Sequence, residues 1–199
     1  IKNNIKGLES LIGVPGTVGG ALIMNAGAYG SEISNYFIKA KTITMQGEIK
    51  NYSKSDIVFS YRNSSFPKNE ILIWSSFQCK KGDIINIKER KQLASQKRKN
   101  NQPLKFRSAG SIFKNPDSEL AAGQLIDKAG LKGLRSGDAE ISKKHANFIL
   151  NLDNALAKDV IILIRKIRKE VATQYDIKLE LEIKLLGFSS DIKKELIYA

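Results

Sequence analysis

Glycine is concentrated near the start of this 199-residue chain, where seven of the fifteen glycines fall between residues 7 and 30. The stretch reads Gly-Val-Pro-Gly-Thr-Val-Gly-Gly-Ala over residues 13–21 and Asn-Ala-Gly-Ala-Tyr-Gly over residues 25–30. Such a run predicts a tight turn that opens a short helix, and backbone N–H groups bared by glycine suit a pyrophosphate. The spacing is not a G-x-G-x-x-G that follows a strand, which argues against a Rossmann site. A purely structural turn is the alternative.

A second stretch, residues 108–116, carries most of the candidate chemistry and reads Ser-Ala-Gly-Ser-Ile-Phe-Lys-Asn-Pro. Gly110 lets the backbone turn sharply and leaves the Ser111 hydroxyl at a surface, where it can donate a proton. Lys114 adds a cation, and Asn115 adds both a donor and an acceptor. An ordinary surface turn is the alternative. A Ser-His-acid hydrolase also fits the residue count through the single histidine, His145, but the chain has no G-x-S-x-G motif, and we expect a structural histidine.

Charge and composition limit the classes of function. The net charge is +13, and residues 80–107 contain ten Lys and Arg against Asp83 and Glu89. Such a stripe could bind nucleic acid or nucleotide phosphates, but its centre lacks aromatic residues for base stacking, and a solvated helix face is the commoner meaning. The single cysteine, Cys79, excludes an internal disulfide and a cysteine-based zinc site. Without an apolar run near 18 residues or a basic leader, we expect neither a membrane span nor a signal peptide.

The hydrophobic pattern predicts an α+β chain with a domain boundary at residues 100–103. Before the boundary it predicts a short helix after residue 16, a hairpin over residues 36–52, a Ser53/Asp56 capping box, a strand over residues 70–79 and a basic helix over residues 83–99. After the boundary it predicts a helix from Ser118 to Ala129, strands over residues 137–141 and 148–150, and a helix capped by Asp153-Asn154 that ends near Tyr175. A final strand over residues 178–186 should place Leu179, Leu181, Ile183 and Leu185 on one face and Glu180, Glu182 and Lys184 on the other.

Four separated motifs together resemble one family, the bacterial flavoenzyme UDP-N-acetylenolpyruvoylglucosamine reductase. These motifs are residues 13–30, the Tyr-Arg-Asn-Ser of residues 61–64, residues 108–116, and the Leu-Glu-Leu-Glu-Ile-Lys-Leu-Leu-Gly of residues 179–187. They occur in the family's order, and the resemblance extends from Gly7 to Gly187. The spacing between the second and third motifs resembles the shorter form of the family, which lacks an extra tyrosine-bearing loop.

The resemblance implies a flavoprotein oxidoreductase of peptidoglycan precursor synthesis, in which NADPH and FAD reduce UDP-N-acetylglucosamine enolpyruvate to UDP-N-acetylmuramate. It implies that Ser111 protonates the substrate carbon, while Arg62 and Glu182 polarise the substrate carboxylate and stabilise the enolic intermediate. The implied FAD-binding residues are Pro15, Gly16, Gly19, Gly20, Asn25 and Gly27. The implied substrate-binding residues are Tyr61, Lys99, Lys114 and Asn115, with the choice of lysine for the diphosphate left open. No metal, nucleic acid or membrane is implied, and a cytoplasmic monomer is expected.

The resemblance implies a further flavin-binding subdomain upstream of the Gly13 motif, and we expect residues 1–199 not to include it. We therefore expect residues 1–103 to form the second half of an FAD-binding α+β domain and residues 104–177 to form an α+β substrate-binding domain. Residues 178–199 should contain a strand that returns to the FAD side and brings Glu182 near Ser111. Two alternatives are a truncated, flavin-free remnant with at most weak UDP-sugar binding, and a basic nucleic-acid-binding module.

Overall fold

The structure, a computed structural model, describes residues 2–198, with side chains described for residues 2–196. It contains both helices and antiparallel sheets, so the predicted α+β class is confirmed. The chain divides into two compact units, the first ending at Asn100 and the second beginning at Asn101, close to the predicted boundary. The assignment of these units to cofactor and substrate stays a prediction. Within the described residues, no helix has the length and apolar character needed to cross a membrane.

The elements of the first unit are β1 (Ile5–Lys6), α1 (Val18–Ile23), β2 (Gly27–Ala28), β3 (Ser31–Glu32), β4 (Phe37–Thr44), β5 (Ile49–Ser53), β6 (Phe59–Ser60), β7 (Asn63–Ser64), β8 (Glu70–Phe77), β9 (Lys80–Lys81) and α2 (Ile84–Asn101). They are built on a three-stranded antiparallel sheet with the strand order β5-β4-β8, accompanied by the paired short strands β1/β9, β2/β3 and β6/β7. Three 3₁₀ turns lie at Glu9–Leu11, Ile33–Asn35 and Lys54–Asp56.

Local signals in the first unit predict its elements well. The hairpin is formed by β4 and β5, the strand after it is β8, and the basic helix is α2. The capping box is present, because the Ser53 N–H donates to Asp56 Oδ2 at 2.7 Å. The core between these elements is formed by Leu22, Ile33, Phe37, Ala40, Ile57 and Phe66.

The elements of the second unit are β10 (Arg107–Ser111), α3 (Ala122–Lys128), β11 (Arg135–Ser136), β12 (Ala139–Ile141), β13 (Phe148–Asn151), α4 (Ala157–Tyr175) and α5 (Ser190–Tyr198). The four strands form an antiparallel sheet with the order β10-β13-β12-β11, packed against the helices. Helix α4 presents an apolar stripe to the core, since Ile161, Ile164, Ile167 and Val171 are all buried there. The prediction did not include α5.

The start of α3 differs from its prediction. Ser118 was expected to cap the helix, but its hydroxyl donates to Leu120 O at 2.8 Å, and the helix begins at Ala122. The first turn is instead capped from outside, because Asn115 Oδ1 accepts the Ala122 N–H at 3.2 Å. The helix ends at Lys128, one residue before the predicted end at Ala129, and Gly130 follows at φ +73°.

The start of α4 also lies later than expected. Asp153 and Asn154 do not cap the helix. The side-chain amide of Asn154 donates to Asp153 Oδ2, and the backbone N–H of Asn154 donates to Asp138 Oδ2. The cap is made by Asp159, whose Oδ2 accepts the Leu156 N–H at 2.9 Å. A carboxylate in the first turn satisfies an otherwise unpaired N–H and interacts favourably with the helix dipole.

The predicted final strand over residues 178–186 is wrong as a regular strand. Its only strand-type pairing among the described residues is an isolated bridge between Leu181 and Phe113, because beyond β10 just a few extended residues are available as a partner. The predicted alternation is nevertheless present. Its four apolar residues pack against the core of the second unit, and Glu180 is exposed. The return of this segment to the FAD side stays a prediction.

Candidate active site

Ser111 lies at the end of β10, directly after a β-bulge. Ser108 pairs with Leu150 and Ser111 pairs with Phe148, so an extra residue of β10 is accommodated between the two pairs. Gly110 has φ +84°, a conformation that glycine adopts without strain and that occurs in one common type of bulge. Bulges redirect the side chains that follow them. Half-buried Ser111 therefore differs in side-chain direction from a residue at the same place in a regular strand.

The segment that carries Glu182 runs antiparallel to the residues after Ser111. The Glu182 N–H donates to Ile112 O at 2.8 Å, and the Lys114 N–H donates to Glu180 O at 2.9 Å. The Glu182 backbone therefore lies beside the residue that follows Ser111, which is the proximity expected from the sequence. Glu182 is half-buried.

Lys114 and Asn115, two of the expected substrate-binding residues, both have partners in the second unit. Lys114 Nζ forms an ion pair with Glu180 Oε2 at 3.1 Å. Asn115 is exposed, and its Oδ1 caps α3 through Ala122. A diphosphate at Lys114 would compete with the Glu180 carboxylate, and the use of both residues in substrate binding stays a prediction.

In the first unit, Tyr61 and Arg62 form the turn between β6 and β7. Arg62 has φ +55°, an uncommon conformation for a residue with a Cβ that often marks functional sites. Its guanidinium carbon lies 4.7 Å from the centre of the Tyr61 ring, and Nη2 donates to Gly27 O at 3.4 Å. These contacts hold a half-buried guanidinium against the glycine-rich stretch, and such a group can bind a carboxylate through two parallel hydrogen bonds.

The glycine-rich stretch is open at its turn. Gly16 has φ +123°, and no atom lies within 4 Å of the position that a Cβ would occupy there. Thr17 caps α1, since its Oγ1 accepts the Gly20 N–H at 3.1 Å. Pro15 and Gly20 are exposed, and Gly19 is half-buried. An exposed glycine backbone with this free space fits the close approach of a phosphate group.

Asn25 and Gly27, the other two expected FAD-binding residues, shape the stretch from inside. Asn25 is fully buried, and its amide donates to Glu32 Oε2 at 2.7 Å and to Ser60 O at 3.0 Å. A Cβ on Gly27 would lie 2.8 Å from Glu32 Cγ and 3.0 Å from Ser31 O, so the β2/β3 hairpin requires glycine there. Both residues have a structural role in this unit, and their contact with FAD stays a prediction.

The C-terminal half of α2 lies along the glycine-rich stretch. Lys97 Nζ is 5.7 Å from the centre of the Tyr29 ring, and Arg98 Cδ is 3.4 Å from the Cβ position of Gly13. Lys99 follows on the same helix and is exposed. The basic stripe therefore brings cations to the part of the first unit that the sequence assigns to phosphate groups.

Asn147 lies beside the candidate site and is not among the residues singled out from the sequence. It is 3% exposed, and its amide makes two hydrogen bonds with the backbone of Phe113, two residues after Ser111. The available signal was a polar amide next to the apolar strand Phe148-Ile149-Leu150, since such a residue needs buried partners.

His145 packs on the ring of Phe148, with 4.8 Å between ring centres, and its imidazole lies against Gly123. Burial lowers the pKa of His145, and the charge of Lys132 lowers it further. Within the described residues, its Nδ1 has no hydrogen-bond partner. These contacts include no Ser111–His145 pair, so the geometry does not favour the hydrolase alternative.

The comparisons with known proteins agree with one another. Residues 102–186 match the family model described as UDP-N-acetylenolpyruvoylglucosamine reductase, C-terminal domain. Proteins named UDP-N-acetylenolpyruvoylglucosamine reductase from Clostridium tetani and Exiguobacterium sibiricum are 44% and 45% identical to this chain, of which they cover 94% and 92%. The chain is thus similar to the C-terminal part of UDP-N-acetylenolpyruvoylglucosamine reductases. It spans 61% and 60% of the length of those two relatives.

A solved structure gives the same relationship at the level of the fold. The crystal structure of UDP-N-acetylenolpyruvylglucosamine reductase (MurB) from Thermus caldophilus matches with a TM-score of 0.81 at 39% identity. The match covers 92% of this chain and 65% of that one. The two units thus have the fold of the corresponding part of a reductase of this family.

Proposed function

We propose that this chain contributes the catalytic residues of an NADPH-dependent flavoprotein oxidoreductase that reduces UDP-N-acetylglucosamine enolpyruvate to UDP-N-acetylmuramate. The reaction belongs to peptidoglycan precursor synthesis, and it places the protein in the bacterial cytoplasm. The observation that best supports the proposal is the bulge that sets Ser111 apart beside the Glu182 segment. The names of the relatives supply the substrate class.

The residues around Gly16 fit an FAD pyrophosphate, because the turn leaves free space where a side chain would otherwise block the backbone. Pro15, Gly16, Gly19 and Gly20 would hold it, with Asn25 and Gly27 maintaining the shape of the stretch. When bound, FAD would carry a hydride from NADPH to the enolpyruvyl group of the substrate.

The chain's own residues would complete the reduction. Hydride addition to the enolpyruvyl methylene leaves an electron pair on the carbon next to the carboxylate, and the Ser111 Oγ–H supplies the proton that forms the new C–H bond. Arg62 would hold the carboxylate through its guanidinium, and Glu182 would act with it on the enolic charge. Tyr61, Asn115 and one of Lys99 and Lys114 would bind the nucleotide-sugar diphosphate.

The test compares Ser111→Ala with Ser108→Ala, a serine on the same strand that precedes the bulge and is exposed. We expect Ser111→Ala to lower turnover of the enolpyruvyl substrate about 10²- to 10⁴-fold, the usual contribution of a general acid. Reduction of bound flavin by NADPH without substrate should be unchanged, and Ser108→Ala should match the wild type. Full turnover in Ser111→Ala would refute the proton-donor role.

The flavin-free alternative is tested first, by the visible spectrum of the purified chain after incubation with FAD and gel filtration. Retained flavin absorbance is the expected result, and it makes the kinetic comparison possible. A colourless chain that binds UDP-sugar weakly would instead support the non-catalytic alternative. Tight, steeply salt-dependent binding to DNA or RNA would support the nucleic-acid alternative.

A further inference from the structure

The side chain of Asn147 takes the place of a strand residue beside Phe113. Its Oδ1 accepts the Phe113 N–H at 2.9 Å, and its Nδ2 donates to Phe113 O at 2.8 Å. A paired strand residue makes these two bonds with its backbone, whereas here one buried amide makes both. The backbone carbonyl of Asn147 also accepts a hydrogen bond from the Ile112 N–H at 2.9 Å. Asn147 thereby extends the pairing of β10 beyond Ser111, where the regular ladder with β13 ends.

The opposite edge of the same short segment, residues 112–114, is paired with the segment that carries Glu182. Ile112 O accepts the Glu182 N–H, and the Lys114 N–H donates to Glu180 O. Residues 112–114 therefore have Asn147 along one edge and the Glu182 segment along the other. Any movement of this segment changes where Ser111 points and where the Glu182 backbone lies.

We propose that Asn147 is a positioning residue, which sets the spacing between Ser111 and Glu182 by fixing residues 112–114. This inference rests on the proposed function, in which Ser111 and Glu182 act on one substrate. Phe113 is 1% exposed, so its N–H and carbonyl have no access to water once the amide is removed. The segment must then shift or admit water to satisfy them. A displacement near 1 Å can lower turnover about 100-fold even when the reacting groups are intact.

The most informative variant is Asn147→Asp, which keeps the shape of the side chain and one acceptor. Its second oxygen would face Phe113 O without a proton, so carboxylate and carbonyl would repel each other. We expect turnover about 100-fold below wild type at neutral pH, with flavin reduction by NADPH unchanged. Protonation of the buried carboxyl restores the donor, so activity relative to wild type should recover as the pH falls.

The matched control is Ser142→Ala, in the same loop between β12 and β13. Ser142 is 1% exposed, and its Oγ accepts the N–H groups of Lys144 and His145, at 3.1 and 3.2 Å. This variant loses two part-buried side-chain hydrogen bonds, neither of which involves residues 112–114, and we expect it to keep wild-type turnover. An equal loss of turnover in Ser142→Ala and Asn147→Asp would overturn the proposal, because any loosening of the loop would then suffice.

A second readout is independent of reductase activity. Amide hydrogen exchange measured by NMR on the whole chain should show the Phe113 and Glu182 N–H groups exchanging roughly ten-fold faster in Asn147→Asp at neutral pH than in wild type. Both rates should be unchanged in Ser142→Ala. Unchanged exchange at Glu182 would overturn the positioning claim, whether or not the wild-type chain turns over substrate. Absence of wild-type turnover, with the exchange result as expected, would count against the proposed function alone.

Discussion

The second unit has seventeen buried apolar residues in one cluster, whereas the corresponding cluster of the first unit has six, among the residues that the structure describes. The long helices show the same contrast. Helix α4 buries a continuous apolar stripe, while α2 buries only Ile87 and Ala94 and leaves Ile85 and Leu93 exposed. The hydrophobic contribution to stability scales with the apolar area removed from water, so it is larger in the second unit than in the first.

The first unit depends more on polar side chains and on turns. The Tyr52 hydroxyl donates to both oxygens of Glu70 at 3.0 Å, and the hydroxyl of buried Thr42 donates to Glu70 Oε2. Asn25 makes a similar internal connection with Glu32. Such networks specify one arrangement of short strands but remove little apolar area from water. This difference indicates that the first unit supplies shaped loops and the second supplies a rigid frame.

The largest expected effect comes from Leu125→Ala in the second unit, compared with Leu22→Ala in the first. Both leucines are buried to within 1%, and each substitution should cost about 2–5 kcal/mol of unfolding free energy. We expect Leu125→Ala to lie at the upper end, because its dense surroundings cannot collapse into the cavity. Denaturant unfolding measures both, with the fluorescence of Trp74, the chain's single tryptophan, reporting on the first unit and helical circular dichroism reporting mainly on the second.

The same experiment can break the comparison. If Leu125→Ala shifts the Trp74 transition as much as Leu22→Ala does, the two units unfold as one, and the size of each cluster does not set a separate stability.

A smaller effect is expected from Gly110→Ala in the second unit and Gly47→Ala in the first. Their φ angles are +84° and +88°, and neither has an atom within 4 Å of its Cβ position, so both substitutions carry the same backbone strain of about 1–2 kcal/mol. Only Gly110 shapes the bulge before Ser111. We therefore expect equal losses of stability by thermal unfolding, with a loss of turnover in Gly110→Ala alone. Equal turnover in the two variants would show that the bulge does not affect Ser111.

The parts of the fold that the sequence predicts are those set by neighbouring residues. The hairpin of β4 and β5 and the Ser53/Asp56 capping box depend on contacts within a few positions, and both are present. The sharp turn at Gly110 is predicted for the same reason, because the conformation of a glycine is a local property, but the β-bulge that it forms is not.

The errors occur where a partner lies far along the chain. The first turn of α3 is capped by Asn115, seven positions before Ala122, and the predicted cap at Ser118 is wrong. The amide of Asn147 bonds a residue 34 positions away, and no periodicity encodes that pairing. The final segment has the alternation of a strand but lacks a long partner, and alternation records which face is buried, not whether a ladder forms.

A pH effect should be confined to the second unit between about pH 7.5 and 5.5, since the chain's only histidine is His145. Burial lowers the pKa of His145 in the folded protein below its ordinary value of 6.5. The unfolded chain therefore binds a proton at a higher pH than the folded protein does. The stability contribution is complete above the unfolded pKa and decreases as the pH falls from there towards the folded pKa.

We expect the helical transition of the second unit to weaken over this range, while the Trp74 transition stays level. His145→Gln should remove the pH dependence. Persistence of the slope in that variant would assign it to other groups and leave the two units alike in this respect.

The smallest expected effect compares one exposed ion pair from each unit. Arg165 on α4 donates from Nε and Nη2 to the two oxygens of Glu195 on α5, each at 2.7 Å, whereas Lys50 meets Glu48 at 2.8 Å within one turn. Hydrogen bonds from these partners lower the pKa of both carboxyls. Their stabilisation is therefore present above the ordinary pKa of about 4.5 and is lost as the pH falls through the folded value.

Only the second-unit pair joins two separate elements, so its loss should release α5, while loss of the other frees two residues already close in sequence. Glu195→Gln should speed amide exchange in α5 at neutral pH and remove the loss of protection that the wild type shows as the pH falls below about 4.5, and high salt should reduce the difference. Glu48→Gln should leave exchange in β4 and β5 unchanged, because the ladder between them already holds the turn. If Glu195→Gln leaves exchange in α5 equally unchanged, apolar packing that includes Ile192 and Leu196 is sufficient to attach α5 to the second unit.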